Sequence, residues 1–136
     1  IVVEGAASYL MKKGQVDAVC IGADRIVRNG DVANKVGSSM LAILAQYYKI
    51  PFFVVAPCSS FDVELESGND VEVEFRKEEE ILNFYEQRVA PVGASAWNPS
   101  FDITSAEDIT AIFCEKGTIS PVNSEEVMKV YGGEEC

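Results

Sequence analysis

Two short runs, VDAVCIG (residues 16–22) and PFFVVAP (residues 51–57), are almost continuously apolar, and a stretch of helical periodicity lies between them. A strand that is apolar at nearly every position, and not just at alternate ones, suits burial on both faces, as inside a parallel sheet. Between the runs Met40, Leu41, Leu44, Ala45 and Tyr48 recur three and four apart, which predicts a helix from about Asn34 that Lys49-Ile50-Pro51 ends. Strand, helix and strand in that order join parallel neighbours, so the predicted class is α/β with a parallel sheet flanked by helices.

The same reading extends outward. Ile1-Val2-Val3 suggests a short buried strand, and Gly5 to Lys13 a helix closed by Gly14 in the left-handed cap position. Farther on, VEVEF (residues 71–75) alternates as a half-exposed strand would, and KEEEILNFYEQ (residues 77–87) reads as an amphipathic helix. Residues 90–100, rich in Pro, Gly and Ser, form a loop that Trp97 is expected to anchor by packing. Thr104 and Glu107 have capping-box spacing, yet the β-branched residues that follow suit a strand equally, and both readings stand. The tail after Tyr131 is expected to fray. One α/β domain over 1–136 is the expected organisation, and the start at Ile1 suggests a piece of a longer chain.

Charge narrows the partners. With 22 acidic against 11 basic residues the net charge is -11, a field that repels nucleic-acid backbones and anionic lipid surfaces. No apolar run approaches the roughly 20 residues of a membrane span, and no leader pattern opens the chain. The four cysteines lack zinc spacing; Cys20 and Cys114 lie in apolar runs and are expected to be buried, which suits a reducing cytoplasm. Histidine is absent, so Ser-His and Cys-His nucleophilic pairs cannot be built from this chain. No metal or organic cofactor has sequence support.

Polar residues concentrate in one place. In open α/β sheets ligands bind beyond the carboxyl ends of the strands, and residues 22–39 read as a loop there, carrying Asp24, Arg25, Asn34 and Lys35. Asp24 directly follows the strand, a rigid mount for an acid or base. It suits equally a structural Asp that accepts N–H groups of its own turn or pairs with Arg25. Asn34 and Lys35 are expected at the helix entrance, where Asn34 can cap, Gly37 permits close backbone approach and Ser38 adds a donor. That makes either an anion seat or an ordinary capped helix start. Neither the Walker A spacing nor G-x-G-x-x-G occurs.

These residues carry a resemblance. GADRIVRNGDVANKVGS (residues 22–38) resembles the signature of methylthioribose-1-phosphate isomerases, and IPFFVVAPCSSFD, APVGASAWNPSFDIT and ITAIFCEKGTI agree with the same family. The core pattern is shared with ribose-1,5-bisphosphate isomerases and with regulatory subunits of the exchange factor acting on translation initiation factor two. The resemblance implies a Rossmann-like α/β domain following a smaller helical one, a homodimer, and a place in methionine salvage. It implies that Asp24 is the proton donor and that Asn34 and Lys35 contact the sugar phosphate; Arg25, Gly37 and Ser38 are expected from their places in the loop to support them. It also places the catalytic cysteine, and the arginines and glutamine that hold the substrate, upstream of Ile1, so that this chain alone is expected to be inactive. Glu4, Ser105 and the segment from Asn83 to Gln87 depart from the pattern, outside the acid and the anion seat.

An acid that donates near neutrality needs its pKa raised above the carboxyl reference of about 3.9, most simply by enclosure in an apolar site. Asp24 is therefore expected to be buried and not paired with Arg25. Two rivals remain beside the isomerase: a non-enzymatic regulatory subunit, and a ribose-1,5-bisphosphate isomerase, which would want more cations than this acidic chain supplies.

Overall fold

The computed structural model describes residues 1–132, so the expectation for the tail lies largely outside the described residues. Helix α1 (Ala7–Lys12) leads to strand β1 (Val19–Ile21), and Gly14 lies between them at φ 65°, the left-handed stop expected of it. Strands β2 (Arg25–Val27) and β3 (Val32–Lys35) follow, then α2 (Ser38–Tyr48), β4 (Phe52–Val55) and β5 (Phe61–Asp62). After a single turn of helix, α3 (Glu79–Leu82), come a small hairpin of β6 (Asn83–Phe84) and β7 (Gln87–Arg88) and then β8 (Phe101–Thr104). The chain continues through β9 (Ala111–Cys114), β10 (Gly117–Ile119) and α4 (Ser124–Tyr131).

The class is α/β, with two four-stranded sheets. One sheet has the order β1-β4-β9-β10, in which β1, β4 and β9 run parallel and β10 antiparallel. The other has the order β5-β2-β3-β8; β5 runs parallel to β2, and the remaining pairs are antiparallel. A single core joins them: Phe52, Val54, Ile112 and Ile119 from the first sheet meet Ile26, Val32 and Phe61 from the second, with Ala42 and Ala45 of α2 and Val127 of α4. Burying such side chains stabilises the fold by about 1.5–3 kcal/mol for each large one.

The second sheet corrects the reading of residues 22–39 as a loop. Ile26, Val27, Val32 and Ala33 are buried there, and the Asn29-Gly30 turn, with Gly30 at φ 90°, closes a β2–β3 hairpin. A side chain on Gly30 would run into Val122. Asp31 fastens the turn to its surroundings, accepting from Asn29 Nδ2 at 2.8 Å, Gly68 N at 2.9 Å and Ala106 N at 2.8 Å.

Other expectations change for local reasons. Ile1, Val2 and Val3 are exposed, with no strand beside them among the described residues, and β1 is an edge strand whose Cys20 is exposed, not buried. Cys114 is half-buried. Residues 71–75 make one bridge, Phe75 to Pro99, in which Arg76 N donates to Asn98 O and Ser100 N to Glu74 O, both at 2.8 Å. The helix expected over 77–87 lasts one turn, since among its residues only Leu82 is buried and Tyr85 turns the chain at φ 53°. Trp97 is 77% exposed and rests on Phe75 at 5.4 Å between ring centres, so it does not anchor its loop by burial. After Thr104 a single 3₁₀ turn, Ala106–Asp108, precedes strand β9, which settles that segment as a strand. No helix among the described residues is long and apolar enough to cross a membrane.

Candidate active site

Asp24 lies where the chain leaves β1 for β2. Its N–H donates to Ala33 O at 3.0 Å, and Ser60 Oγ donates to Ala23 O at 3.2 Å, so the backbone on which the carboxylate stands is held from two sides. The side chain is exposed, against the expectation of burial, and makes no ion pair among the described residues. It lines a cleft of about 150 Å³ together with Arg25, Ala33, Val71, Glu72 and Phe101. Arg25 does not pair with it; its Nη1 lies 3.1 Å from Asp62 Oδ2. A second hollow of about 380 Å³, lined by Arg25, Glu72 and Glu74, adjoins through the shared Arg25 and Glu72.

Asn34 and Lys35 are in β3, not at a helix entrance. Successive residues of a strand point to opposite faces, so the two side chains part company. Asn34 pairs in register with Asp102 and donates through Nδ2 to Ser38 Oγ at 2.8 Å, while Ser38 Oγ donates to Lys35 O at 2.7 Å. Lys35 pairs in register with Phe101, and its Nζ lies 4.9 Å from the centre of that ring, a cation–π contact. Since Phe101 also lines the Asp24 cleft, the Lys35 ammonium lies beside it, exposed and without an ion pair among the described residues.

The expected anion seat exists and is already filled. Gly37, at φ 106°, is the residue before the first turn of α2. Asp102 accepts from Gly37 N at 2.7 Å, Ser39 N at 3.1 Å and Ser39 Oγ at 2.8 Å, placing a carboxylate where the helix start attracts negative charge. Close approach to Gly37 does occur, by the Glu4 carboxylate, which a side chain on Gly37 would strike. Gly37 and buried Ser38 therefore serve the internal support of β3 and α2.

Sequence reasoning missed Asp62 and Asp102 as structural partners. A signal was present: Ser-Phe-Asp occurs twice, at residues 60–62 and 100–102, and each time the aspartate leaves the face its phenylalanine occupies to meet a donor elsewhere. At the carboxyl ends of β4 and β9 a further cleft of about 250 Å³ opens between Val55, Ala56, Pro57, Phe113, Cys114 and Glu115. The sheet face that carries Cys20, Phe53, Val55 and Phe113 is only partly covered.

The chain is 50% identical over 132 residues to methylthioribose-1-phosphate isomerase of Sulfurihydrogenibium sp. (strain YO3AOP1), a match over 97% of this chain and 39% of that protein. Among solved structures it resembles 5-methylthioribose 1-phosphate isomerase from Pyrococcus horikoshii OT3, with a TM-score of 0.93 and 44% identity over 98% of this chain and 37% of that one. It also resembles subunit delta of the translation initiation factor eIF-2B from A. fulgidus, with a TM-score of 0.89 and 39% identity over 95% of this chain and 37% of that one. The chain thus spans less than two fifths of the length of these relatives. The pattern of the initiation factor 2 subunit family matches residues 1–121, and the chain belongs to that family.

Proposed function

We propose that the protein containing this chain interconverts 5-methylthioribose 1-phosphate and 5-methylthioribulose 1-phosphate, with Asp24 as proton donor, Lys35 at the substrate and Asn34 in support. The observation that carries the reading is a free carboxylate on a rigid mount beside a small cleft, in a chain half identical to an isomerase of that name. In such a substrate phosphate occupies the anomeric oxygen, so the ring cannot open by simple hemiacetal exchange. A proton delivered to the ring oxygen lets its bond to C1 break. The hydrogen on C2 passes to C1 and the proton of the C2 hydroxyl is released, restoring the acid and leaving a ketose of the same composition.

Exposure of Asp24 in this chain means that the apolar enclosure an acid needs comes from the rest of the protein. Lys35, beside the cleft, steers the anion, while Asn34, turned to the other face of β3 and donating to Ser38, supports the strand that carries Lys35. Exposed Tyr9, Ile43 and Tyr47 on α1 and α2 suit coverage by a second copy in a homodimer.

The test is turnover of methylthioribose 1-phosphate by the whole protein, followed by proton NMR of the ketose product; absence of product refutes the reading. Residues 1–136 alone are expected to give none, and unaided turnover by this piece would show that it needs no further segment. Lys35→Ala in the whole protein is expected to raise KM roughly 10-fold or more with a smaller change in kcat, the loss of one charge-assisted contact. An unchanged KM removes Lys35 from the site. A second reading, a non-enzymatic regulatory subunit, is favoured by the likeness to eIF-2B subunit delta. It predicts sugar-phosphate binding or subunit association with no turnover.

A further inference from the structure

Arg25 is the nearest threat to the role proposed for Asp24. The two residues are adjacent in sequence and line the same cleft, and an arginine side chain is long enough to turn toward a neighbouring carboxylate. A guanidinium beside a carboxylate favours its ionised form, lowering the pKa by about 1–3 units, and an ionised group has no proton to give. What the structure shows instead is Arg25 drawn the other way. Strand β5 runs parallel to β2 with Val27 opposite Asp62, which puts Asp62 on the face of the sheet shared by Val27 and Arg25. Asp62 Oδ2 then meets Arg25 Nη1 at 3.1 Å.

Resting on the proposed function, we propose that Asp62 is a positioning residue that holds the Arg25 guanidinium away from Asp24 and so leaves Asp24 able to carry its proton. Other charges face the same space. Glu72 lines the cleft with Asp24, Lys35 lies over Phe101 at its side, and Glu72 and Glu74 border Arg25 in the adjoining hollow. Among the described residues only Asp62 comes within ion-pair distance of Arg25. The pair is partly exposed, with side chains 47% and 31% accessible, so it contributes little to stability, and its removal is expected to leave the melting temperature near that of the parent.

The experiment uses the whole protein and the pH dependence of kcat. A general acid is active while protonated, so activity falls as pH rises through its pKa. Asp62→Asn releases Arg25 and is expected to move this alkaline limb down by about half a pH unit, the most that a weak, partly exposed pair can impose, which lowers kcat above the limb roughly 2- to 5-fold. Asp62→Glu keeps the charge and holds the limb near its original position. Arg25→Gln added to Asp62→Asn returns the limb upward, an outcome that general damage to the fold would not produce. An alkaline limb unmoved by Asp62→Asn, or one that stays low after Arg25→Gln, overturns the proposal. Titration of the Asp24 carboxyl by carbon-13 NMR in the same proteins reads the relation without turnover. If the parent does not isomerise the sugar phosphate, the proposed function fails. The downward displacement of Asp24 in Asp62→Asn, and its reversal by Arg25→Gln, still decides whether Asp62 restrains Arg25.

Discussion

Asp24→Asn in the whole protein is expected to lower kcat for methylthioribose 1-phosphate by about 10²- to 10⁴-fold, the range a positioned general acid contributes. The amide keeps the shape of the side chain and the backbone bond from Asp24 N to Ala33 O, so the mount and the cleft remain. What is lost, on the proposed function, is the proton for the ring oxygen. Substrate affinity, measured by calorimetry under conditions where no turnover occurs, is expected to stay within about threefold, because a group used only in the transition state adds little to ground-state binding. A variant that keeps kcat within a factor of a few assigns proton donation to another group. A variant that loses affinity and kcat together makes Asp24 a binding residue.

The second large effect is on stability. Asp102→Ala removes three accepted hydrogen bonds and the carboxylate that makes them at the start of α2. Bonds to a charged group are worth about 1.5–3 kcal/mol each but do not add fully, and loss of a helix cap alone costs about 0.5–2 kcal/mol. A net loss of about 3 kcal/mol is expected, read as a lower denaturation midpoint with an unchanged dependence on denaturant. The effect is large because α2 brings Ala42 and Ala45 into the core shared by both sheets. Asp102→Asn, which keeps acceptor oxygen but not charge, is expected to lose roughly half as much. A loss below about 1 kcal/mol for Asp102→Ala would mean that water or Glu4 satisfies the helix start equally well.

These two aspartates mark a difference in legibility. Asp24 could be read from the chain because it follows an apolar strand directly, and such a position is a local property. The parallel pairing of β1 with β4, the end of α2 near Lys49, the Gly14 stop and the Asn29-Gly30 turn follow from spacings of a few residues. Asp102 could not be read in this way. It is separated from Gly37 by 65 positions, and the repeated Ser-Phe-Asp that marks it does not tell that a helix start lies opposite.

The alternation over Val32–Lys35 was equally hidden, since Val32-Ala33-Asn34-Lys35 lacks the apolar-polar rhythm of a half-buried strand and adjoins the helix that follows. Taken as a helix entrance, Asn34 and Lys35 would act together. As a strand they face opposite sides of a sheet, and Lys35 settles over Phe101. The segment over 77–87 erred in the other direction: its acidic and apolar residues have helical composition, but only Leu82 finds a core to enter. A helix that short draws its stability from packing, which that segment lacks.

The chain by itself determined its α/β class, its strand-helix-strand nucleus and the mount of Asp24, because hydrophobic period and turn chemistry act over neighbouring residues. Only the tertiary structure decided which anion occupies the start of α2, which way Arg25 turns and which face Lys35 shares. Those outcomes depend on carboxylates and rings brought from distant parts of the chain, and their free energy exists only once the two sheets have packed.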